Sequence, residues 1–361
     1  MNRLIAVLSK SRKLKSFIRM ASSFKEGLCR VELHCHLDGC CRPETIWNIA
    51  KRRGMMDALP GNTLEEFLTE LRVSGSGTLA KFLHSFEIYM PVLKGDRVGI
   101  KEIATELCQD KMNDGAVYFE ATYCPHFLSD DNLTTEEVVQ LVNEGFKEGE
   151  KKFGVKARSI LCMIRDKPEW CREMVELCDK YRSEGVVGIG IAGDESVALE
   201  IDFYQGVKEA IERNICRTIH AGESGPASNV QEAIEVFKAQ RVGHGYHCVE
   251  DDNVYELVKK TGVHLEVCPT SSNVLGNVSP DWTKHPAIRF AKDNVNFSLN
   301  TDDTLHFNNS LQTEEDIAMK YFGMSKEDII TARVYAAEAT FLPEGEKREL
   351  VEHVKKFSVS V

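Results

Sequence analysis

Eight apolar, β-rich runs of strand length recur along this 361-residue chain. They are Cys29–His36, Val117–Cys124, Ala157–Arg165, Val186–Gly193, Cys216–Gly222, Arg241–Tyr246, Val263–Pro269 and Val295–Asp303. Most are near-continuous rather than alternating, the pattern of strands buried on both faces of a parallel sheet. Helical patterns fill the gaps. Thr134 and Glu137 form a capping start for a helix to about Phe153, with Val138, Leu141, Val142 and Phe146 on one face and Gly154 as its stop. Pro168 opens another, and Val230–Ala239, Asn253–Thr261 and Ala287–Asp293 come after it. Eight such alternations predict an α/β fold, a (β/α)8 TIM barrel. A barrel of this kind takes about 250 residues, so the rest must be extra. The excess reads as helices Pro43–Gly54, Thr63–Val73, Thr78–Leu93 and Asp96–Asp114, inserted after the first strand. Two more, Lys326–Phe341 and Glu344–Phe357, close the C-terminal end.

Residues 1–28 differ from the rest of the chain. Seven cationic side chains from Arg3 to Lys25 precede the first acid, Glu26, so 1–28 read as a basic flexible leader and 29–361 as a single domain. A net charge of -11 argues against a nucleic-acid partner, because phosphate binding wants a basic face. No run approaches the length of a membrane span. The twelve cysteines form no Cys-x-x-Cys pair and several sit in strand-like runs, which predicts a reducing, cytoplasmic setting rather than a disulfide framework.

In a barrel, functional residues gather where strands end at the C-terminal face. His34 and His36 alternate on the first strand and so point the same way, about 7 Å apart at the backbone. His220 ends the fifth run, His244 the sixth, and Asp302 with Asp303 the eighth. Four strands thus aim His and Asp at one rim. Three imidazoles and a carboxylate suit Zn²⁺ with a position left for water, and His34, His36, His220 and Asp302 are the candidate ligands. Glu223, three residues after His220, is placed as proton donor or acceptor, or else as a surface Glu opening the next helix. His244, between Gly243 and Gly245, reads as holding and deprotonating the attacking water, with a fifth ligand as the alternative. Asp303 reads as an acceptor for substrate or as a cap for the following turn.

The set His34-x-His36-Leu37-Asp38-Gly39, His220-Ala221-Gly222-Glu223, Gly243-His244-Gly245 and Thr301-Asp302-Asp303 is similar to the adenosine deaminase family of metal-dependent hydrolases, over about residues 29 to 357. Tyr89-Met90-Pro91 and Ala192-Gly193-Asp194-Glu195 add to the likeness. The resemblance implies hydrolytic deamination of adenosine and 2′-deoxyadenosine to inosine and 2′-deoxyinosine, with one Zn²⁺ per chain. It implies Glu223 as donor to purine N1, Gly193 at N3, Asp303 at N7 and Asp38 at the ribose 5′-hydroxyl. Leu79, Phe82, Leu83 and Phe86 form an i, i+3, i+4, i+7 stripe that reads as core; the resemblance implies an apolar gate over the nucleoside. The expected partner is a small-molecule nucleoside and the expected state a monomer.

Three alternatives stand beside this reading. One is a related adenine, AMP or methylthioadenosine deaminase, although no Gly-rich loop or Arg cluster for a phosphate is evident. The second is the zinc deaminase of cytidine and nucleic acids, whose combined His-x-Glu and Pro-Cys-x-x-Cys signature is absent. The third is an additional non-catalytic, partner-binding role.

Overall fold

A computed structural model describes residues 24–72 and 79–358; the side chains of residues 79–81 also lie outside it. Eight strands are parallel and paired in chain order. They are β1 (Arg30–His36), β2 (Ala116–Tyr123), β3 (Lys156–Ile164), β4 (Val186–Ala192), β5 (Cys216–Ala221), β6 (Arg241–His244), β7 (His264–Val267) and β8 (Phe297–Leu299). All eight expected runs are strands. β2 is buried at every residue and most of β4 is buried too, as the continuous apolar runs require. The barrel closes through loops more than through a ladder. Leu33 N–H donates to Asn300 Oδ1 at 2.9 Å, Asp302 N–H to the His34 carbonyl at 3.2 Å and His36 N–H to the Asp302 carbonyl at 3.3 Å.

Two strand ends differ from expectation. β8 stops at Leu299, so Asp302 and Asp303 lie on the loop beyond it, and Asp302 has a left-handed backbone (φ +63°) that ends extended structure. β7 stops at Val267 because Pro269 starts a short helix, Pro269–Val274.

The insertion after β1 holds helices α1 (Pro43–Arg53), α2 (Leu64–Leu71), α3 (Leu79–Leu93) and α4 (Arg97–Asn113). Local chemistry sets several of their ends: Pro43 opens α1 and left-handed Gly54 (φ 65°) closes it, while Asp96 accepts from the Val98 and Gly99 amides to cap α4. Around the barrel come α5 (Thr135–Phe153), α6 (Cys171–Lys180), α7 (Ile201–Glu212), α8 (Ala227–Glu235), α9 (Asp252–Thr261) and α10 (Ala287–Lys292). The chain ends with α11 (Leu311–Tyr321), α12 (Lys326–Ala339) and α13 (Glu344–Ser358). The capping box of α5 forms as expected, and Gly154 closes the helix at φ 78°. Helices α7 and α11 have no counterpart among the expected segments, and α6 begins at Cys171, after a 3-10 turn that starts at Pro168. Phe24 and Leu28, expected in the leader, pack with Val31, Leu33, Leu350 and Val354 between β1 and α13; residues 1–23 lie outside the described set. No described helix is long and apolar enough to cross a membrane.

Candidate active site

The strand register builds the site. β5 sets His220 beside Gly243 of β6, and β6 sets Gly243 beside Glu266 of β7. Gly243 is small for a reason. A Cβ there would lie 3.0 Å from His34 Cε1 and 3.3 Å from the His220 Cα, so a larger residue would push the two imidazoles off their positions. The glycine before His244 therefore makes room for a neighbouring ring, rather than for a ligand approaching the backbone.

Ligand atoms of His34, His36 and His220 all lie within 4.8 Å of one another. His34 Nδ1 meets Glu266 Oε2 at 2.8 Å and His220 Nδ1 meets the Ile191 carbonyl at 2.9 Å. Both rings therefore present Nε2 to the centre, and His34 Nε2 has no hydrogen-bond partner. Asp302 Oδ1 stands 3.4 Å from His34 Nε2 and 3.3 Å from His36 Nε2. Ligands about 2.0–2.1 Å from a tetrahedral ion stand roughly 3.3–3.4 Å apart, so these separations fit a shared metal. Ser271 Oγ donates to Asp302 Oδ2 at 2.5 Å and leaves Oδ1 free to turn inward.

Two overlapping donor sets compete: His34, His244, Cys268 and Asp302, and His36, Asp302 and Asp303. Burial pushes the Cys268 thiol well up, which keeps it protonated and a poor ligand. Burial and Asp302 likewise push Asp303 well up. Burial would lower His34, but the carboxylates of Asp302 and Glu266 beside its two ring nitrogens push it up to about 10; a site this negative holds a proton or a cation. Burial, with His34, His244 and His36 close by, holds His220 well below its ordinary value.

Glu223 is 5% exposed and lies past β5, four residues before α8 begins, so it is not a surface helix opener. Asn277 Nδ2 donates to its Oε1 at 2.9 Å, and its Oε2 is 3.7 Å from His244 Nε2. Burial first, then the charges of Asp302 and Glu195, push its carboxyl up to about 8. His244 has φ +67°, and burial with His34 nearby pulls it down to about 3, so it stays an acceptor. A carboxyl that keeps its proton beside an imidazole that stays neutral is a donor–acceptor pair for acid–base chemistry.

A cleft of about 610 Å³ opens above these groups. His36, His220, Glu223, His244, Asp302 and Asp303 line it, as do Asp38 and Gly193. Phe82, Leu83 and Phe86 of α3 cover one side, while the Leu79 side chain lies outside the described residues. Phe82 is also core, stacked on Phe307 with centroids 5.2 Å apart, so the stripe serves both as core and as cleft wall.

Several supports of the site carry no local sequence motif. Glu266 holds His34, accepts from Thr218 Oγ1 at 2.8 Å and pairs with Arg241 Nε at 2.6 Å, and Arg241 also pairs with Glu120 at 2.6 Å. Only charged residues within otherwise apolar strands could have signalled this interior network. Asn277, on the loop after Pro269–Val274, carried no signal.

The adenosine deaminase family model matches residues 29–357. An adenosine deaminase from Xenopus tropicalis is 46% identical over 338 residues, covering 89% of this chain and 93% of that relative. The solved adenine deaminase from Arthrobacter aurescens superposes with a TM-score of 0.83 at 25% identity, covering 92% of this chain and all of its own. An amidohydrolase from Burkholderia ambifaria, solved with bound Zn, shares the fold with a TM-score of 0.80 at 22% identity over 93% of each chain. With a family model spanning the whole barrel and a relative this similar over most of the chain, the protein belongs to the adenosine deaminase family.

Proposed function

We propose that this protein hydrolyses the C6 amino group of adenosine and 2′-deoxyadenosine, giving inosine and 2′-deoxyinosine with release of ammonia. The observation that carries the reading is a buried, proton-bearing Glu223 beside His244 and the imidazole cluster, all in one cleft. The cluster of His34, His36 and His220, with Asp302 Oδ1 beside His34 and His36, supports one Zn²⁺ held by these four residues. When bound, zinc supplies the acidification of water from a pKa of about 15.7 toward about 7.

The protein's own groups do the rest. Glu223 delivers its proton to purine N1 and so makes C6 electrophilic. His244 Nε2 orients the attacking water and accepts its proton. N7 is an acceptor, so Asp303 must meet it as a protonated carboxyl, consistent with the burial that raises it. The backbone N–H of Gly193 meets N3, and Asp38 accepts from the ribose 5′-hydroxyl. Phe82, Leu83 and Phe86 exclude water from the face of the nucleoside, with Leu79 as the first residue of the same stripe.

All twelve cysteines are free and eleven are buried, which supports a reducing, cytoplasmic setting. The exposed large hydrophobics among the described residues, Val98, Ile201 and Val236, are scattered, which supports a monomer.

An absorbance assay of adenosine, 2′-deoxyadenosine, adenine, AMP and methylthioadenosine, with and without a chelator, tests the function. Turnover of the first two, abolished by the chelator and restored by zinc, is expected. Preference for adenine, AMP or methylthioadenosine would replace the proposed substrate.

A further inference from the structure

Past β4 the chain turns through Gly193 (φ +105°) and brings Glu195 against the loop that carries Glu223. Glu195 is buried, yet it is not among the residues lining the cleft. Its carboxylate accepts four hydrogen bonds. Oε1 accepts from the backbone N–H of Glu223 at 2.7 Å and of Ser224 at 3.1 Å. Oε2 accepts from the backbone N–H of Gly222 at 2.9 Å and from Asn229 Nδ2, on α8, at 2.7 Å. Three consecutive amides of one strand-end loop thus converge on a side chain supplied by the loop after the neighbouring strand.

Those amides belong to the turn between β5 and α8, where no ladder or helix would pair them. Left alone, a loop with left-handed Gly222 (φ +66°) could place the Glu223 side chain in several ways. The geometry also reserves the space that Glu195 fills. A Cβ on Gly225 would lie 2.5 Å from Glu195 Oε2 and 2.4 Å from Asn229 Nδ2. Burial would raise the Glu195 carboxyl, but the bonds from Asn229, Gly222 and Glu223, with Arg165 nearby, hold it below the usual range, so it accepts as an anion.

We propose that Glu195 is a positioning residue for the deamination: by gripping the amides of residues 222–224 it fixes where the Glu223 carboxyl meets purine N1, and Asn229 holds Glu195 in place. This rests on the reading of Glu223 as the proton donor. The effect belongs to the catalytic step, because a misplaced donor weakens the transition state more than it weakens nucleoside binding.

The test is a double-mutant cycle between Glu195→Gln and Glu223→Gln, with kcat, KM and zinc content measured for all four proteins on adenosine. Glu195→Gln puts amide hydrogens against donors. It is expected to lower kcat by about 100-fold, while KM stays within about threefold and zinc content holds. In the Glu223→Gln background the same change should cost nothing further, because no donor remains to be placed. Equal losses in both backgrounds would overturn the positioning role and show a general structural one. Should Glu195→Gln fail to fold, Gly225→Ala replaces it in the cycle, since the added methyl displaces the carboxylate without removing it. The same outcomes then decide. Near-normal kcat in Glu223→Gln alone would overturn the donor reading and this proposal with it, whereas an additive cycle on a weakly active Glu223→Gln overturns Glu195 alone.

Discussion

Gly39 and Asp303 share one small space: a Cβ on residue 39 would lie 1.5 Å from Asp303 Oδ1. Asp303 Oδ1 is buried without a hydrogen-bond partner, and the residue lines the cleft. The glycine of the His-x-His-Leu-Asp-Gly stretch therefore keeps open the position of a group proposed to meet N7. We expect Gly39→Ala to displace Asp303 and lower kcat/KM for adenosine by about 10- to 100-fold, the worth of a buried hydrogen bond. Steady-state kinetics with zinc content as control would check it; an unchanged kcat/KM removes Asp303 from purine recognition.

Glu223→Gln should keep zinc and lose about 10²–10⁴-fold in kcat, the usual contribution of a positioned proton donor. The pH profile carries the same information. The working form is protonated and the carboxyl is raised to about 8, so kcat/KM should be level at neutral pH and fall tenfold per unit above the midpoint. A dication nearby moves that midpoint lower, never higher. His244, near 3, adds no limb in the neutral range. A kcat/KM that climbs through pH 8 would contradict the donor role.

Metal retention should depend on residues on both sides of His34. His220→Ala is expected to lose zinc, read by elemental analysis of dialysed protein. Glu266→Gln, which removes the carboxylate behind His34 Nδ1, should weaken zinc binding by about 10–100-fold in competition with a chromogenic chelator. Full zinc stoichiometry in His220→Ala would exclude it as a ligand.

Lys111 of α4 is buried beside β1, where its ammonium lies 2.6 Å from Glu32 Oε2 and donates to Thr301 Oγ1 at 3.0 Å. Glu32 Oε1 in turn accepts from the Thr301 N–H at 2.9 Å, next to Asp302. Lys111→Met leaves a buried carboxylate unpaired and should cost about 3–5 kcal/mol in denaturant unfolding at fixed zinc. Adding Glu32→Gln should recover most of that loss. No recovery in the double variant would mean that the cost lies in packing of α4 and not in the stranded charge.

Much of this architecture is written in short-range patterns. Continuous apolar runs mark the eight strands, Thr134 with Glu137 and Pro43 with Gly54 mark helix ends, and His34, His36, His220, His244 and Asp302 stand at or just past strand ends, where a barrel places its chemistry. Those signals survive because hydrophobic period and capping act over a few residues. Helix α7 escapes because Glu200 gives it no side-chain cap, and α11 because its inner face buries Glu314 and Glu315 and so breaks the apolar stripe, although Ser310 caps its start.

The chain alone named which residue types could do this chemistry and roughly where they fall along it. The folded barrel selected among them. Glu223 is a buried, proton-holding carboxyl and not a surface acid because distant segments enclose it, and Glu195 and Glu266 gain their contacts from the neighbours that the fold brings beside them. Burial, charge proximity and strand register depend on residues far apart in the chain, and no local pattern encodes them.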